Sequence, residues 1–198
     1  MKGPKVFIAC LLLATALPSL TFLERVQAKI LASQPFRADF VQQVYIDGEK
    51  NLEESGFIVF AGRERVKWQY LSPDFKTFIL ENKRYQFYDR ENNQVLKGRV
   101  DPRHEQLIWD LLCSPRPGQS GRWDERTRTI RFEVEDSSGR QQLQVRISAD
   151  FLPERVEQAT AGGVTNVYLF RNFQTGIVLA KNDFVLDVPA GVETIETE

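Results

Sequence analysis

The sequence predicts a mainly β domain of the α+β class, with one curled antiparallel sheet of about 11 strands and two helices. Its 198 residues are a length at which a single β-rich domain is common. Short apolar runs recur at intervals of roughly 8–12 residues between turn-prone segments, which is typical of an antiparallel sandwich or barrel. One amphipathic helical stretch interrupts the strands midway.

The first 16 residues are predicted to be an export signal. Two lysines precede an apolar run at residues 6–17, and small residues at positions 14–16 form a cleavage site. A run of this length is too short to span about 30 Å of hydrocarbon as a helix. The alternative, an uncleaved anchor extending to Leu23, is interrupted by polar residues and a proline. We therefore expect cleavage after Ala16, which leaves residues 17–198 as one exported domain.

The charge balance excludes partners that attract a protein by their bulk negative charge. The chain has 26 basic and 27 acidic residues, and removal of Lys2 and Lys5 changes the balance to 24 − 27 = −3. A weakly acidic chain has no bulk electrostatic attraction for nucleic acid or for an anionic membrane surface. We therefore expect no nucleic-acid partner.

Residues that commonly bind metals or perform catalysis are scarce. His104 is the single histidine, and Cys10 and Cys113 are the two cysteines, whereas a Cys/His zinc site needs about four such ligands. His104 and Cys113 fall on opposite sides of one predicted helix, out of reach for a nucleophile and its base. No phosphate loop or paired-carboxylate motif occurs. The sequence therefore predicts binding rather than catalysis, without a metal or cofactor.

The first element of the mature chain is a predicted helix. Thr21-x-x-Glu24 is typical of a capping box, in which a hydroxyl and a carboxylate satisfy backbone N–H groups at a helix start. Leu23, Val26 and Ile30 follow at helical spacing, and Pro35 is expected to end the element.

Strands follow this helix. Phe36, Ala38 and Phe40 alternate with polar residues, which is the pattern of a half-buried strand, and Asp47-Gly48 predicts a turn. Further strands are predicted at residues 56–60, 66–71, 75–80, 85–89, 94–97, 129–135, 141–148, 154–160, 164–173 and 183–188.

A second helix is predicted between the two series of strands. It opens at Asp101-Pro102, and four apolar side chains share one of its faces: Leu107, Ile108, Leu111 and Leu112. A sheet with this many strands must curl, and larger curled sheets enclose an interior. We expect the apolar face of this helix to cover the mouth of that interior, an arrangement that suits a carrier of an apolar ligand.

Several segments resemble the outer-membrane lipoprotein carrier proteins of the LolA family. They occur in the family's order from about residue 20 to residue 195, and the last of them is the closest match. The segments are Phe36-x-Ala38-x-Phe40-x-Gln42, Ser55-Gly56, Arg65-Val66-Lys67-Trp68-x-Tyr70-x-x-Pro73, Tyr85-x-Phe87-Tyr88-Asp89 and Phe184-x-Leu186-x-Val188-Pro189-Ala190-Gly191-Val192-Glu193-x-Ile195.

The resemblance implies a half-open β-barrel with a helical lid over an apolar cavity that shelters lipoprotein acyl chains. It implies a periplasmic protein that is not an enzyme, with acylated lipoproteins as cargo, an inner-membrane ABC transporter as donor and an outer-membrane lipoprotein acceptor as recipient. We expect it to act as a monomer. The residues expected to contact the ligand are Phe40, Phe57, Val59, Trp68, Tyr70, Leu107, Ile108, Leu111 and Leu112.

The resemblance also implies an arginine that gates the lid. In the family, an Arg-Pro pair shortly before the tryptophan clamps the lid helices through their carbonyls. Here the segment is Gly62-Arg63-Glu64-Arg65, without the proline, so Arg63 is the first candidate for the clamp and Arg65 the second. Two other positions depart from the family pattern: residues 160–163 lack the usual turn aspartate, and Cys113 replaces the usual glycine after the lid leucines.

Two functions remain open at this stage. The first is a periplasmic lipoprotein carrier, and the second is a periplasmic lipid-sensing regulatory or partner-binding module on the same fold. A covalent anchor or a further domain would favour the second, and a hydrolase on this fold is a distant third. By composition alone, apolar strand residues such as Trp68 belong to a core more often than to a ligand site.

Overall fold

The computed structural model describes residues 20–62, 64–99, 112, 121–136, 139–160 and 162–197. The predicted signal segment at residues 1–16 lies outside the described residues. So does the predicted second helix, with the exception of Leu112.

One longer helix and twelve strands make up the described chain. The helix α1 spans Phe22–Ala32. The strands in chain order are β1 (Phe36–Ile46), β2 (Glu49–Phe60), β3 (Arg65–Ser72), β4 (Lys76–Glu81), β5 (Arg84–Asp89), β6 (Gln94–Arg99), β7 (Arg122–Asp124), β8 (Thr129–Asp136), β9 (Gly139–Ile147), β10 (Pro153–Thr160), β11 (Val164–Thr175) and β12 (Glu193–Glu196).

All twelve strands belong to one sheet, in the order β12-β6-β5-β4-β3-β2-β1-β11-β10-β9-β8-β7. The pairs are antiparallel apart from β12, which lies parallel to β6. Within the described ranges β12 and β7 are the two edges and do not pair with each other, so the sheet stays open. The predicted mainly β, half-open antiparallel architecture is confirmed, with twelve strands in place of about 11.

The curl of the sheet is visible in contacts between distant strands. Trp68 on β3 and Tyr168 on β11 are separated by two intervening strands, which in a flat sheet would place them about 14 Å apart. Their ring centroids are 5.6 Å apart. The sheet therefore wraps around one side, called here the concave face, and the other side is the convex face.

The helix α1 forms for the reason that its sequence indicates. The Thr21 backbone N–H donates to Glu24 Oε2 at 2.7 Å, and the Glu24 N–H donates to Thr21 Oγ1 at 3.3 Å, so the predicted capping box is confirmed. Phe22, Val26 and Ile30 are buried at helical spacing in the main core, whereas Leu23 is only partly buried. Their burial presses α1 onto the concave face.

The alternation of apolar and polar residues in β1 places the apolar ones on one face, as predicted. Phe36, Ala38 and Phe40 are buried on the concave face, and the residues between them are half-buried on the convex face. Asp47 and Gly48 both adopt positive φ, 50° and 86°, as a two-residue hairpin turn requires. This turn joins β1 to β2, as expected.

A long C-terminal segment covers the convex face. This segment, residues 177–192, is called the strap. It begins where the Ile177 N–H donates to the Pro35 carbonyl at 3.2 Å, and it leads into β12 where the Glu193 N–H donates to the Asn93 carbonyl at 3.2 Å. Between these points Phe184 is buried against Val59 of β2 and Ile79 of β4.

The strand predicted at residues 183–188 is wrong. The region is turn and irregular backbone, and the strand of this region lies at β12. Phe184 is buried and Leu186 is half-buried, whereas Val185 is exposed, so this irregular segment presents alternate residues to the sheet that it crosses. Burial has period two here without the hydrogen bonds of a strand.

Candidate ligand-binding face

The strand register builds the concave face in rows that run across β1 to β6. The first row is Phe36, Phe60, Val66, Leu80, Tyr85 and Gly98, and the second is Ala38, Ile58, Trp68, Phe78, Phe87 and Leu96. Apart from the Tyr85 hydroxyl and the Trp68 indole N–H, no polar side-chain group interrupts these two rows. They form an apolar surface six strands wide.

An aromatic cluster lies at the centre of this surface. The Phe40 ring packs edge-on against Trp68 and Tyr70, with centroid distances of 5.0 and 5.1 Å. Gly56 stands between Phe40 and Tyr70 in the register, and a Cβ there would lie 1.8 Å from the Gln69 carbonyl oxygen. Glycine is therefore required at this position, and it leaves the space over which the two rings meet.

Coverage of the concave face is uneven. The first-row residues Phe36, Phe60 and Val66 are fully buried in the core beneath α1. On β4 to β6 Leu80 is buried, whereas four other side chains of the rows are half-buried: Phe78, Tyr85, Phe87 and Leu96. Half-buried aromatic and aliphatic groups in a concave site can hold the apolar part of a ligand by burial alone.

A set of polar side chains crosses the concave face beyond the apolar rows. We call Gln42, Glu54, Tyr70, Lys76 and Asp89 the polar row. Lys76 Nζ donates to Glu54 Oε1 at 2.8 Å, and the Tyr70 hydroxyl donates to Gln42 Oε1 at 2.9 Å. Gln42 and Glu54 are 8% and 6% exposed, so these polar groups lie deep in the face.

Burial shapes the ionisation of the groups around the polar row. Desolvation, aided by the negative charge of Glu54, raises the pKa of Tyr168 to about 12. The pKa of Tyr70 is also raised, by burial first and then by Tyr168 and Glu54. The hydrogen bond to Glu54 raises the pKa of Lys76, although partial burial opposes it. At neutral pH both tyrosines are therefore neutral donors, and Lys76 is a cation held by a carboxylate.

The predicted ligand contacts fall on two different faces. Phe40, Trp68 and Tyr70 lie together on the concave face, at the aromatic cluster. Phe57 and Val59 point to the convex face, where both pack in the cluster beneath the strap. Phe57 and Val59 therefore lie on the face opposite Phe40, because successive strand residues point to opposite faces, and their contact with a ligand stays a prediction.

Arg65 also belongs to the convex face. Its Nε lies 2.9 Å from Glu81 Oε1, and its guanidinium carbon lies 4.4 Å from the centre of the Phe184 ring. In this position Arg65 holds the strap and does not face the concave side. Arg63 lies outside the described residues.

Of the predicted lid helix, one residue lies among the described residues. Leu112 is helical, fully buried and part of the main core together with α1 and the concave face. Leu107, Ile108 and Leu111 lie outside the described residues.

Another arginine performs a carbonyl-binding role that the sequence did not indicate. Arg128 Nε donates to the Ile147 carbonyl at 3.0 Å, and its Nη2 donates to the Ser148 carbonyl. The same guanidinium lies over the rings of Phe22 in α1 and Phe151. Arg128 therefore ties α1 to the β9–β10 end of the sheet.

The sequence reasoning also missed Glu54, Lys76 and Tyr168. Glu54 and Lys76 are charged residues near strand ends, where solvated side chains are the usual expectation. Only the register, which brings Gln42 opposite Glu54 and Tyr70 opposite Lys76, reveals a shared site. Within the polar row, Gln42, Tyr70 and Asp89 had a signal, since each stands in a segment that resembles the LolA family.

A cavity of about 330 Å³ lies away from this face. Its lining residues are Phe75, Tyr88, Arg90, Asp187, Val188 and Pro189, so it lies between the strap and the β3–β4 and β5–β6 turns. In the part of the chain that the structure describes, no cluster of three or more His, Cys, Asp or Glu side chains is arranged to hold a metal ion.

The open curled sheet, its aromatic concave face and the helix packed on it define an open-barrel binding fold. The model of the outer membrane lipoprotein carrier protein LolA family matches residues 32–187, and the chain belongs to that family. Among the curated proteins, none matches the chain.

Two solved structures share the fold. An uncharacterized conserved protein from Thermus thermophilus aligns with a TM-score of 0.54 at 14% identity, over 89% of this chain and 97% of that chain. A LolA superfamily protein from Nitrosomonas europaea aligns with a TM-score of 0.52 at 10% identity, over 83% and 96%. Over the described residues, no helix is long and apolar enough to cross a membrane.

Proposed function

We propose that this protein is a periplasmic chaperone that binds the acyl chains of lipoproteins on its concave face and carries them from the inner to the outer membrane. The observation that carries the proposal is the half-buried apolar surface on β4 to β6, continuous with the aromatic cluster. Membership of the LolA family supports the choice of cargo.

The energetics favour a carrier that holds its cargo by burial. Each CH₂ group removed from water contributes about 0.8 kcal/mol, so a palmitoyl chain gains about 12 kcal/mol when it is fully covered. A concave face that covers most of the chain offsets the cost of leaving the membrane. A lid equilibrium then lowers the net affinity enough for release.

The remaining parts of the proposal concern the partners and residues that, with the exception of Leu112, lie outside those described. Residues 1–16 direct export and are removed, and the apolar side of the second helix, with Leu107, Ile108, Leu111 and Leu112, closes the concave face. Arg63 gates this lid. An inner-membrane ABC transporter supplies the lipoprotein, an outer-membrane acceptor receives it, and the carrier is a monomer.

A matched pair of variants tests the site. Phe87 and Gln86 are adjacent on β5, both half-buried, and point to opposite faces. Phe87→Asp should weaken binding of a fluorescent tripalmitoyl peptide by at least tenfold, on the order of what one unpaired charge against an apolar ligand costs. Gln86→Asp adds the same charge to the convex face and should leave binding unchanged.

Titration of the purified residues 17–198 with that peptide measures both effects. Equal binding by the two folded variants would exclude the concave face as the ligand site. Saturable binding without release to acceptor-bearing liposomes would favour a lipid-sensing module over a carrier. Mass spectrometry of lipids and peptides that co-purify from periplasm identifies the natural cargo.

A further inference from the structure

The polar row carries more negative than positive charge. Lys76 is bound to Glu54 at 2.8 Å, and Asp89 stands opposite Lys76 in the register. Asp74, just before β4, adds a third carboxylate whose field reaches Lys76. One ammonium thus stands among three carboxylates.

These charges are not explained by stability. Glu54 is 6% exposed, and a buried ion pair is often no more stabilising than apolar residues of the same volume. The neighbouring rows show that this sheet accommodates aromatic and aliphatic residues at such positions. A role in recognition accounts for polar groups at the border of an apolar surface.

The geometry places the polar row where the end of a bound acyl chain would lie. Tyr70 belongs to both the aromatic cluster and the polar row, since its ring packs on Phe40 and its hydroxyl donates to Gln42. Gln42 Nε2 in turn donates to Asn166 Oδ1 at 3.4 Å. A ligand that lies along the aromatic cluster therefore meets amide, hydroxyl and carboxylate groups at its head.

We propose that the polar row is a head-group filter, which accepts acyl chains joined by neutral ester and amide groups and rejects those joined to a phosphate. The inference rests on the proposed function, since it requires that acyl chains bind the concave face. The amide and hydroxyl groups of Gln42, Asn166 and Tyr70 are bonded to one another, and they can exchange these neutral hydrogen bonds for bonds to neutral esters and amides without separating charges.

A phosphate meets repulsion at the same place. The Lys76 ammonium already has Glu54 as its partner, so a phosphate must compete with that carboxylate and approach Asp89 as well. Like charges brought together away from water are costly, and they exclude the wrong ligand. A carrier with this filter takes an acylated protein from a membrane whose phospholipids have the same chains.

Displacement of the fluorescent tripalmitoyl peptide measures the filter. The competitors are dipalmitoylglycerol, which is neutral, and dipalmitoylphosphatidylglycerol, which has the same chains and a phosphate. The unmodified protein should prefer the neutral lipid by at least about tenfold. Glu54→Gln should lower this preference by at least about fivefold, the lower limit set by one charge at about 4 Å under the full screening of bulk water.

Three further variants complete the charge series. Asp89→Asn removes a charge from the same row at a half-buried position. It should also lower the preference for the neutral lipid. This variant serves as the test if Glu54→Gln does not fold. Lys76→Gln removes the single cation and should not lower it. Glu53→Gln is the matched control, because Glu53 is exposed, bonds to Gln43 and Lys50, and points to the other face of β2.

The outcomes separate the two proposals. If the unmodified protein does not bind the peptide, the proposed function fails and the filter fails with it. If it binds the peptide but both lipids displace it equally, the filter alone is overturned. The same holds if Glu54→Gln and Asp89→Asn both keep the preference of the unmodified protein, or if Glu53→Gln changes it as much as they do.

Discussion

Two tyrosine hydroxyls on the concave face have pKa values raised above those of tyrosine in water. Tyr70 and Tyr168 stand beside buried aromatic rings and within the field of Glu54. Burial and that negative charge both oppose loss of the phenolic proton. The folded protein therefore holds these protons more tightly than the unfolded chain does.

This difference predicts a loss of stability at alkaline pH. The pKa of Tyr168 is about 12 in the folded protein against an ordinary value of 10.0. Its contribution to the free energy of unfolding is therefore constant below about pH 10 and is lost as the pH rises toward 12. Tyr168→Phe removes this titration. The difference in free energy of unfolding, variant minus unmodified protein, should therefore rise by about 2 kcal/mol between pH 8 and pH 12.

Urea unfolding followed by tryptophan fluorescence at several pH values gives the comparison. Parallel stability curves for the two proteins over this range would show that Tyr168 ionises as readily in the folded state as in the unfolded one.

Individual residues on β2 mark the limit of what the sequence could predict. Alternation assigned Phe36, Ala38 and Phe40 correctly to one face. The run Phe57-Ile58-Val59-Phe60 is apolar throughout because the core lies on one side and the strap on the other. A pattern without polar residues cannot show which face each residue occupies, so the sequence alone does not separate Phe57 and Val59 from Ile58 and Phe60.

At the scale of elements, the strap contributes to stability apart from the ligand site. Phe184 is 4% exposed and carries the packing against Val59 and Ile79. Phe184→Ala should lower the free energy of unfolding by about 3 kcal/mol through lost burial and a cavity. Its neighbour Val185 is 56% exposed, so Val185→Ala should change stability by less than about 0.5 kcal/mol.

Chemical denaturation of both variants, with peptide binding measured on the folded proteins, tests this assignment. Phe184→Ala should retain binding, since the strap covers the convex face. A large loss of affinity in the folded variant would mean that the two faces are coupled.

Short or unpatterned elements account for most of the remaining errors in the predicted fold. β7 has three residues and β12 has four, all of β12 exposed, and neither presents an apolar pattern of useful length. The strap has that pattern but no strand partners. Hydrophobic periodicity reports burial, whereas pairing depends on which other segment lies alongside, and that is a property of the whole fold.

At the scale of the whole molecule, an open sheet must protect its edges. β12 covers β6, and its continuation is fixed by the Thr197 N–H, which donates to the Lys97 carbonyl at 2.7 Å, and by the Tyr85 hydroxyl, 2.6 Å from Thr197 Oγ1. β12 is short and carries Glu193 and Glu196, features that discourage pairing with another chain.

Removal of residues 193–198 should therefore expose β6 and promote self-association. Sedimentation velocity over a range of concentrations should show dimers or larger species for the truncated chain. The double variant Glu193→Gln with Glu196→Gln keeps the strand while it removes the charges, and it should associate less than the truncation does. A truncated chain that stays monomeric at high concentration would contradict this role for β12.

The position of the strap also governs when the molecule can finish folding. The strap follows, in the chain, every strand that it covers, and Val59 precedes Phe184 by 184 − 59 = 125 residues. Until the strap is in place, the apolar side chains of β2 and β4 have no cover on the convex side. Each newly made chain thus passes through a period in which it is itself a client for any chaperone that recognises exposed apolar segments.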